Sequence, residues 1–177
     1  ETVVDFGSGG GIDCFLAAKE VGPEGRVIGV DMTSDMVDLA RSNALKLELS
    51  NVEFHLTEME HTPIEDNTAD VIISNCVINL APDKLAVFQE AFRILRPGGR
   101  LYVSDIVLAE ELPADVAADA SQWAGCIAGA EVKETYLGKM ATAGFVDADV
   151  LSESALDASG GWKSKVLSVN VRALKPA

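Results

Sequence analysis

The sequence predicts a doubly wound α/β domain, and three observations carry that prediction. Short β-branched runs alternate with helix-period stretches of roughly 10 to 15 residues, the pattern of right-handed crossovers onto a parallel sheet covered on both faces. A glycine-rich segment, Gly7 to Gly11, separates the first strand from the first helix. The last two strands are joined by too short a connection for a crossover, so they form an antiparallel hairpin at one edge.

Taken in order, Thr2 to Phe6 reads as a buried strand, followed by the turn chemistry of Gly7, Gly9, Gly10 and Gly11 and a helix from Ile12 to Val21. Gly22-Pro23-Glu24-Gly25 is a turn, and Arg26 to Asp31 a second strand. Thr33 or Ser34 is a good N-cap for a helix running to about Leu49. Val52 to Leu56 is a third strand, Glu58 to Thr68 a polar loop, and Ala69 to Ser74 a fourth strand. Pro82-Asp83 opens a helix to about Leu95, stopped by Pro97-Gly98-Gly99. Leu101 to Val107 is a fifth strand. Leu112 to Ala143 reads as helical in two pieces split near Gly129, and Val146 to Leu151 and Lys165 to Ala173 close the chain as strands around a Gly160-Gly161 turn. Residues 1–177 read as one domain without repeats or linkers. The chain starts at Glu1 without Met and runs at once into a strand, which gives the expectation that an N-terminal segment is missing.

Composition narrows the partners. Among 177 residues, 14 are basic and 28 acidic, a formal charge of −14. With no basic cluster, nucleic acid is excluded as a partner, because that affinity comes from Lys and Arg neutralising phosphates. A polybasic membrane-surface site fails for the same reason, and no apolar run reaches the roughly 18 residues of a membrane span. No signal peptide opens the chain, so a cytoplasmic location is expected and structural disulfides are not.

The glycine loop carries the first site. Glycines between a strand and a helix let the backbone approach a ligand closely, and the helix N-terminus offers free N–H groups. Asp31 ends the second strand, where its carboxylate can accept hydrogen bonds from both hydroxyls of a ribose. Together these form a nucleoside-cofactor site. A nicotinamide site is disfavoured, since Gly-x-Gly-x-x-Gly would need glycine where Ile12 stands.

The spacing Gly7-x-Gly9-x-Gly11, with Asp5 two residues earlier, resembles the first motif of class I S-adenosylmethionine-dependent methyltransferases. Ala69-Asp70 at the fourth strand and Leu95-Arg96-Pro97-Gly98-Gly99-Arg100-Leu101 before the fifth follow the same family. The resemblance implies a Rossmann-like sheet of seven strands with an antiparallel last strand and S-adenosylmethionine as cofactor. Asp5, Gly7, Gly9, Gly11, Asp31, Met32 and Asn75 are the expected cofactor residues. Glu58 and Met59, in the loop where the family holds adenine, join them as acid for the exocyclic amine and apolar neighbour for the ring.

Three cysteines make the second site. Cys14 follows the first strand and Cys76 the fourth, so both are expected on the sheet edge where open α/β folds bind ligands. Cys126 lies beyond the fifth strand in a Gly-broken segment able to fold over that edge. Three thiols there form a soft-ligand set, and the helix N-terminus is expected to lower the pKa of Cys14. Zinc is disfavoured, with no close Cys pair and only His55 and His61 available.

Asp13-Cys14, the stretch Ser74-Asn75-Cys76-Val77-Ile78-Asn79-Leu80-Ala81-Pro82-Asp83-Lys84, and Trp123 through Cys126 to Ala130 resemble arsenite S-adenosylmethionine methyltransferases. The resemblance implies that Cys76 and Cys126 bind trivalent arsenic and that Cys14 enters a disulfide cycle during turnover. It further implies arsenite or thiol-bound arsenic as substrate, a thiol reductant such as thioredoxin or glutathione, and a role in arsenic detoxification. Gly10-Gly11-Ile12 departs from the Ser-Gly-Arg usual in that family. The competing readings are a methyltransferase of a small organic acceptor such as a quinone precursor, and an inactive cofactor- or metalloid-binding module.

Overall fold

The computed structural model describes residues 1–112, 127, 129–157 and 161–177. Seven strands form one sheet: β1 (Thr2–Phe6), β2 (Arg26–Asp31), β3 (Val52–Leu56), β4 (Ala69–Asn75), β5 (Leu95–Leu108), β6 (Val146–Ala155) and β7 (Val166–Leu174). Their order is β3-β2-β1-β4-β5-β7-β6. The first five run parallel, whereas β7 lies antiparallel between β5 and β6. The predicted hairpin is therefore present, with β6 at one edge of the sheet and β3 at the other.

Alternation along the strands sends side chains to two cores. Val3, Val27 and Val71 point to one face, where they pack with Cys14, Phe15 and Ala18 of α1 (Ile12–Val21) and Val37, Ala40 and Ala44 of α2 (Ser34–Lys46). Val4, Ile28, Ile72 and Leu101 point to the other, under Val87, Phe88 and Ile94 of α3 (Lys84–Ile94) and Tyr136 and Met140 of α4 (Lys133–Ala143). Helices thus cover both faces. Among the described residues, no helix is long and apolar enough to cross a membrane.

Several boundaries differ from the expectation for local reasons. Thr33 occupies the N-cap of α2 without a side-chain capping bond; its N–H donates to Asp31 Oδ1 at 2.8 Å instead. That helix stops at Lys46, because Glu48 takes a left-handed φ of 54°. Asp83 does cap α3, accepting from the Ala86 N–H at 3.1 Å. β5 begins at Leu95 because the Pro97-Gly98-Gly99 turn is a bulge inside the strand: Leu95 pairs with Ala69 and Arg100 with Val71. Of the two helical pieces expected over Leu112 to Ala143, the second is α4; residues 113–126 and 128 lie outside the described residues, as does Gly160.

Candidate active site

The glycine loop is held by backbone hydrogen bonds. Gly7 and Ser8 N–H both donate to the Val30 carbonyl, at 2.9 and 3.0 Å, which folds the loop over the end of β2. Gly7 has φ 76°, and a Cβ there would stand 2.4 Å from Val77 Cγ2, so the loop touches the turn after β4 directly. Gly11 precedes α1 with φ 93°, where a Cβ would meet the Phe15 ring at 2.5 Å. Gly7 lets two loops meet; Gly11 lets the helix pack.

Asp31 joins the loop to the next crossover. Its Oδ2 accepts from Gly9 N–H at 2.9 Å and its Oδ1 from Thr33 N–H at 2.8 Å. A carboxylate offers about four acceptor positions, so two remain for hydroxyls of a ligand. Beside it opens a cavity of about 180 Å³ lined by Gly7, Asp31, Met32, Thr33, Thr57, Glu58, Met59, Glu60, Val77, Leu80, Ala81 and Pro82. The lining combines the carboxylates of Asp31, Glu58 and Glu60 with the apolar side chains of Met59, Val77, Leu80 and Ala81, a set suited to a nucleoside: acceptors for hydroxyls and an exocyclic amine, aliphatic surface for a flat ring.

Of the predicted cofactor residues, Gly7, Asp31, Met32, Glu58 and Met59 line this cavity. Gly9 serves it indirectly through Asp31, and Gly11 supports the fold of the loop. Asp5 is buried beneath the loop, where its Oδ2 accepts from Cys14 Sγ at 3.2 Å. Burial pushes its carboxyl up to about 7, the Cys14 hydrogen bond opposing and the charges of Asp13 and Asp31 adding. Asn75 lines a separate groove of about 370 Å³ among α1, β4, β5 and β7, and donates to Asp13 Oδ2 at 3.3 Å. Sequence reasoning missed the wall Val77, Leu80, Ala81 and Pro82; the apolar run directly after β4 was the signal available.

The cysteines divide. Cys14 is free and fully buried in the core between α1 and the sheet. The expectation of a lowered pKa is overturned: burial pushes the thiol well above its ordinary value, and the adjacent Asp5 carboxyl, as charge and as hydrogen-bond acceptor, adds to that. The helix N-terminus does not compensate, because Cys14 faces the sheet and not the open end of the helix.

Cys76 stands just beyond β4 with a left-handed φ of 58°, its N–H donating to the Ser104 carbonyl at 2.7 Å. It packs on the small cluster of Ile106, Leu108 and Val166, as do Ile127, Ala130 and Trp162. Cys76 is disulfide-bonded, against the expectation of no structural disulfide; sequence spacing does not reveal which thiols a fold brings together. Cys126 and Trp123 lie outside the described residues. Among the described residues, no group of three or more His, Cys, Asp and Glu is placed to hold a metal ion.

A seven-stranded sheet in this order, with a carboxylate-lined cavity outside the carboxyl ends of β1, β2, β3 and β4, defines a cofactor-binding α/β domain of the doubly wound class. The chain belongs to the methyltransferase-domain family, whose profile matches residues 1–169. It is 45% identical over 184 residues to the arsenite methyltransferase of Halobacterium salinarum, a match covering 100% of this chain and 47% of that protein. The arsenite methyltransferase of Homo sapiens is 38% identical over 137 residues, 72% of this chain and 36% of that protein. The arsenic (III) S-adenosylmethionine methyltransferase of Chlamydomonas reinhardtii has a crystal structure that superposes with a TM-score of 0.85 at 33% identity, covering 99% of this chain and 63% of that one. The chain spans about half the length, or less, of the curated relatives it matches.

Proposed function

We propose that this protein transfers a methyl group from S-adenosylmethionine to trivalent arsenic, presented as arsenite or as its thiol adducts. The single observation that carries the reading is a cysteine, Cys76, immediately beside Val77 in the wall of the cavity that holds Asp31 and Glu58. Generic small-molecule methylation does not require a thiol there. The likeness to arsenite methyltransferases at 45% identity supports the same acceptor.

The cofactor, when bound, supplies an electrophilic methyl group on a sulfonium. Asp31 would receive the ribose hydroxyls through its remaining acceptor positions, and Glu58 the adenine amine. Met59, Val77, Leu80 and Ala81 would exclude water from the ring. Arsenic(III) carries its own lone pair, so no side chain is needed as general base. Thiolates of Cys76 and Cys126 would hold arsenic facing the methyl group, where alignment supplies most of the acceleration. Because Cys76 is disulfide-bonded here, arsenic binding through its thiolate requires prior reduction by a dithiol or two monothiols, which are themselves oxidised to a disulfide. Thioredoxin or glutathione would fill that role in the cytoplasm. Cys14 would join the disulfide cycle only after the contact with Asp5 opens. Detoxification of arsenic is the corresponding physiological role.

The test is a titration of the reduced protein with arsenite, followed by tryptophan fluorescence, since Trp162 packs on the same cluster as Cys76. Calorimetry with S-adenosylmethionine and separation of methylated arsenic complete it. Arsenite binding that survives Cys76→Ser combined with Cys126→Ser would sink the reading. Binding of both ligands without methylated product would favour an inactive module.

A further inference from the structure

Asn79 is an unusual residue for its place. It sits in the apolar run Val77-Ile78-Asn79-Leu80, within the 3-10 turn Ile78–Leu80, and is as buried as its neighbour Ile78. Packing alone would favour an aliphatic side chain there, because burying an amide costs free energy unless hydrogen bonds offset it. Two such bonds exist, both made by the amide nitrogen, while the buried Oδ1 has no hydrogen-bond partner among the described residues. Its Nδ2 donates to Asp105 Oδ1 at 2.8 Å and to the Ile106 carbonyl at 2.6 Å. Both partners are acceptors, so the orientation of the amide follows from chemistry.

Asp105 is itself fixed. It is buried within β5, accepts from Ile106 N–H at 2.8 Å through Oδ1, and accepts from the Tyr136 hydroxyl of α4 at 3.1 Å through Oδ2. The Phe88 ring, 5.3 Å away and edge-on, holds the Tyr136 ring in place. The far side of the turn is also pressed: a Cβ at Gly129 would fall 1.8 Å from the Asn79 carbonyl oxygen. The turn is thus tied to β5 and α4 by one buried side chain.

We infer that Asn79 is a positioning residue of the active site: its side chain, clamped by Asp105 and the Ile106 carbonyl, fixes the turn that joins Cys76 to the cavity wall. Cys76 lies two residues before that turn, and the segment around it supplies Val77, Leu80 and Ala81 to the cavity, so the placement of the turn sets the acceptor thiol relative to the cofactor. A shift of about 1 Å between reacting groups can cost a hundredfold in rate. The inference rests on the arsenic-methylation reading for its kinetic arm and on the fold alone for its exchange arm.

The experiment compares Asn79→Leu, Asp105→Leu and Asp105→Asn with the wild-type protein. The first two remove the clamp from either side; the third keeps an oxygen acceptor for Asn79. Turnover on arsenite is expressed per S-adenosylmethionine site counted by calorimetry, so that misfolded protein does not count. Asn79→Leu and Asp105→Leu are expected to lower kcat per site at least tenfold, with KM for S-adenosylmethionine within threefold, and Asp105→Asn to retain wild-type turnover within threefold. In parallel, hydrogen exchange by mass spectrometry should show the segment 76–81 exchanging at least tenfold faster in Asn79→Leu while β1 and β2 remain protected. Unchanged exchange over 76–81 overturns the inference even if the wild-type protein proves unable to methylate arsenite. Turnover per site within threefold of wild type in Asn79→Leu, where the wild type is active, overturns it equally. A wild-type protein that binds no arsenite but shows the exchange difference refutes the arsenic reading and leaves the positioning role standing.

Discussion

Replacing Gly7 by Ala should be far more costly than replacing Gly9, although both have positive φ. Gly9, at φ 50°, has open space where a Cβ would go, so Gly9→Ala incurs only the left-handed backbone penalty, about 1 to 2 kcal/mol. Gly7 carries that penalty and a collision as well: its Cβ would lie 2.4 and 2.7 Å from the two Val77 methyls and 2.7 Å from Val77 Cβ. A β-branched side chain has little rotamer freedom with which to move away. Overpacking of this kind costs a further ~1 to 3 kcal/mol. Urea unfolding followed by far-ultraviolet circular dichroism measures both variants, with an expected difference of about 1 to 3 kcal/mol between them. Val77→Ala introduced into Gly7→Ala should recover most of that difference, a coupling readable from the double-mutant cycle. Equal stability of the two alanine variants, or a cycle that closes without coupling, would refute the claim that the glycine loop is seated against Val77.

Three further outcomes follow from the site. Asp5 holds its proton up to about pH 7 when folded, against an ordinary value of 3.8, so between those limits the folded chain retains a proton that the unfolded chain releases. Its contribution therefore turns unfavourable as pH rises through that window and is fully unfavourable above it. Asp5→Asn should raise the melting temperature relative to wild type more at pH 8 than at pH 5; an equal difference at both would contradict the assignment. Cys14, buried and pushed upward in pKa, should resist iodoacetamide in the native protein at pH 8 roughly a hundredfold more than in the unfolded chain, as read by peptide mass spectrometry. Labelling at the unfolded rate would rule that out. Asp31→Asn turns one acceptor into a donor facing a backbone N–H, and loses a bond worth ~1.5 to 3 kcal/mol; calorimetry should find S-adenosylmethionine weakened by roughly 10- to 100-fold. Unaltered affinity would remove Asp31 from the cofactor site.

Much of the fold was legible because the local signals agree. β1, α1, β2 and β3 have the expected limits, since apolar strands there are bounded by Gly, Pro and Asn turns that no tertiary contact overrides. β5 was read too short because Pro97-Gly98-Gly99 has the chemistry of a turn, and only its partner β4 reveals that the turn is a bulge between paired residues. Gly7 and Asp31, at the cavity, were legible because strand ends in a doubly wound sheet share one rim, whereas Glu58 and Met59 were expected from the family resemblance alone. Cys14 was not. Its helix carries exposed apolar residues, Ile12 at 73% and Leu16 at 59%, so hydrophobicity does not reveal the inward face. The Asn79–Asp105 pair was equally hidden: its members are 26 residues apart, on elements whose contact exists only in three dimensions.

The place of β7 bears on how this protein is made. Along nine residue pairs, Arg100–Leu108 of β5 finds its outer partner in Val166–Leu174, the last strand. β6 is synthesised earlier but pairs with β7 alone. Until Leu174 has emerged from the ribosome, then, β5 presents a raw edge, and β6 has nothing to join. An emerging chain in that condition is open to pairing with its neighbours. In a cell, chaperone cover matters for as long as Val166–Leu174 has yet to emerge, whereas the glycine loop finds its partner Val30 within the first two strands.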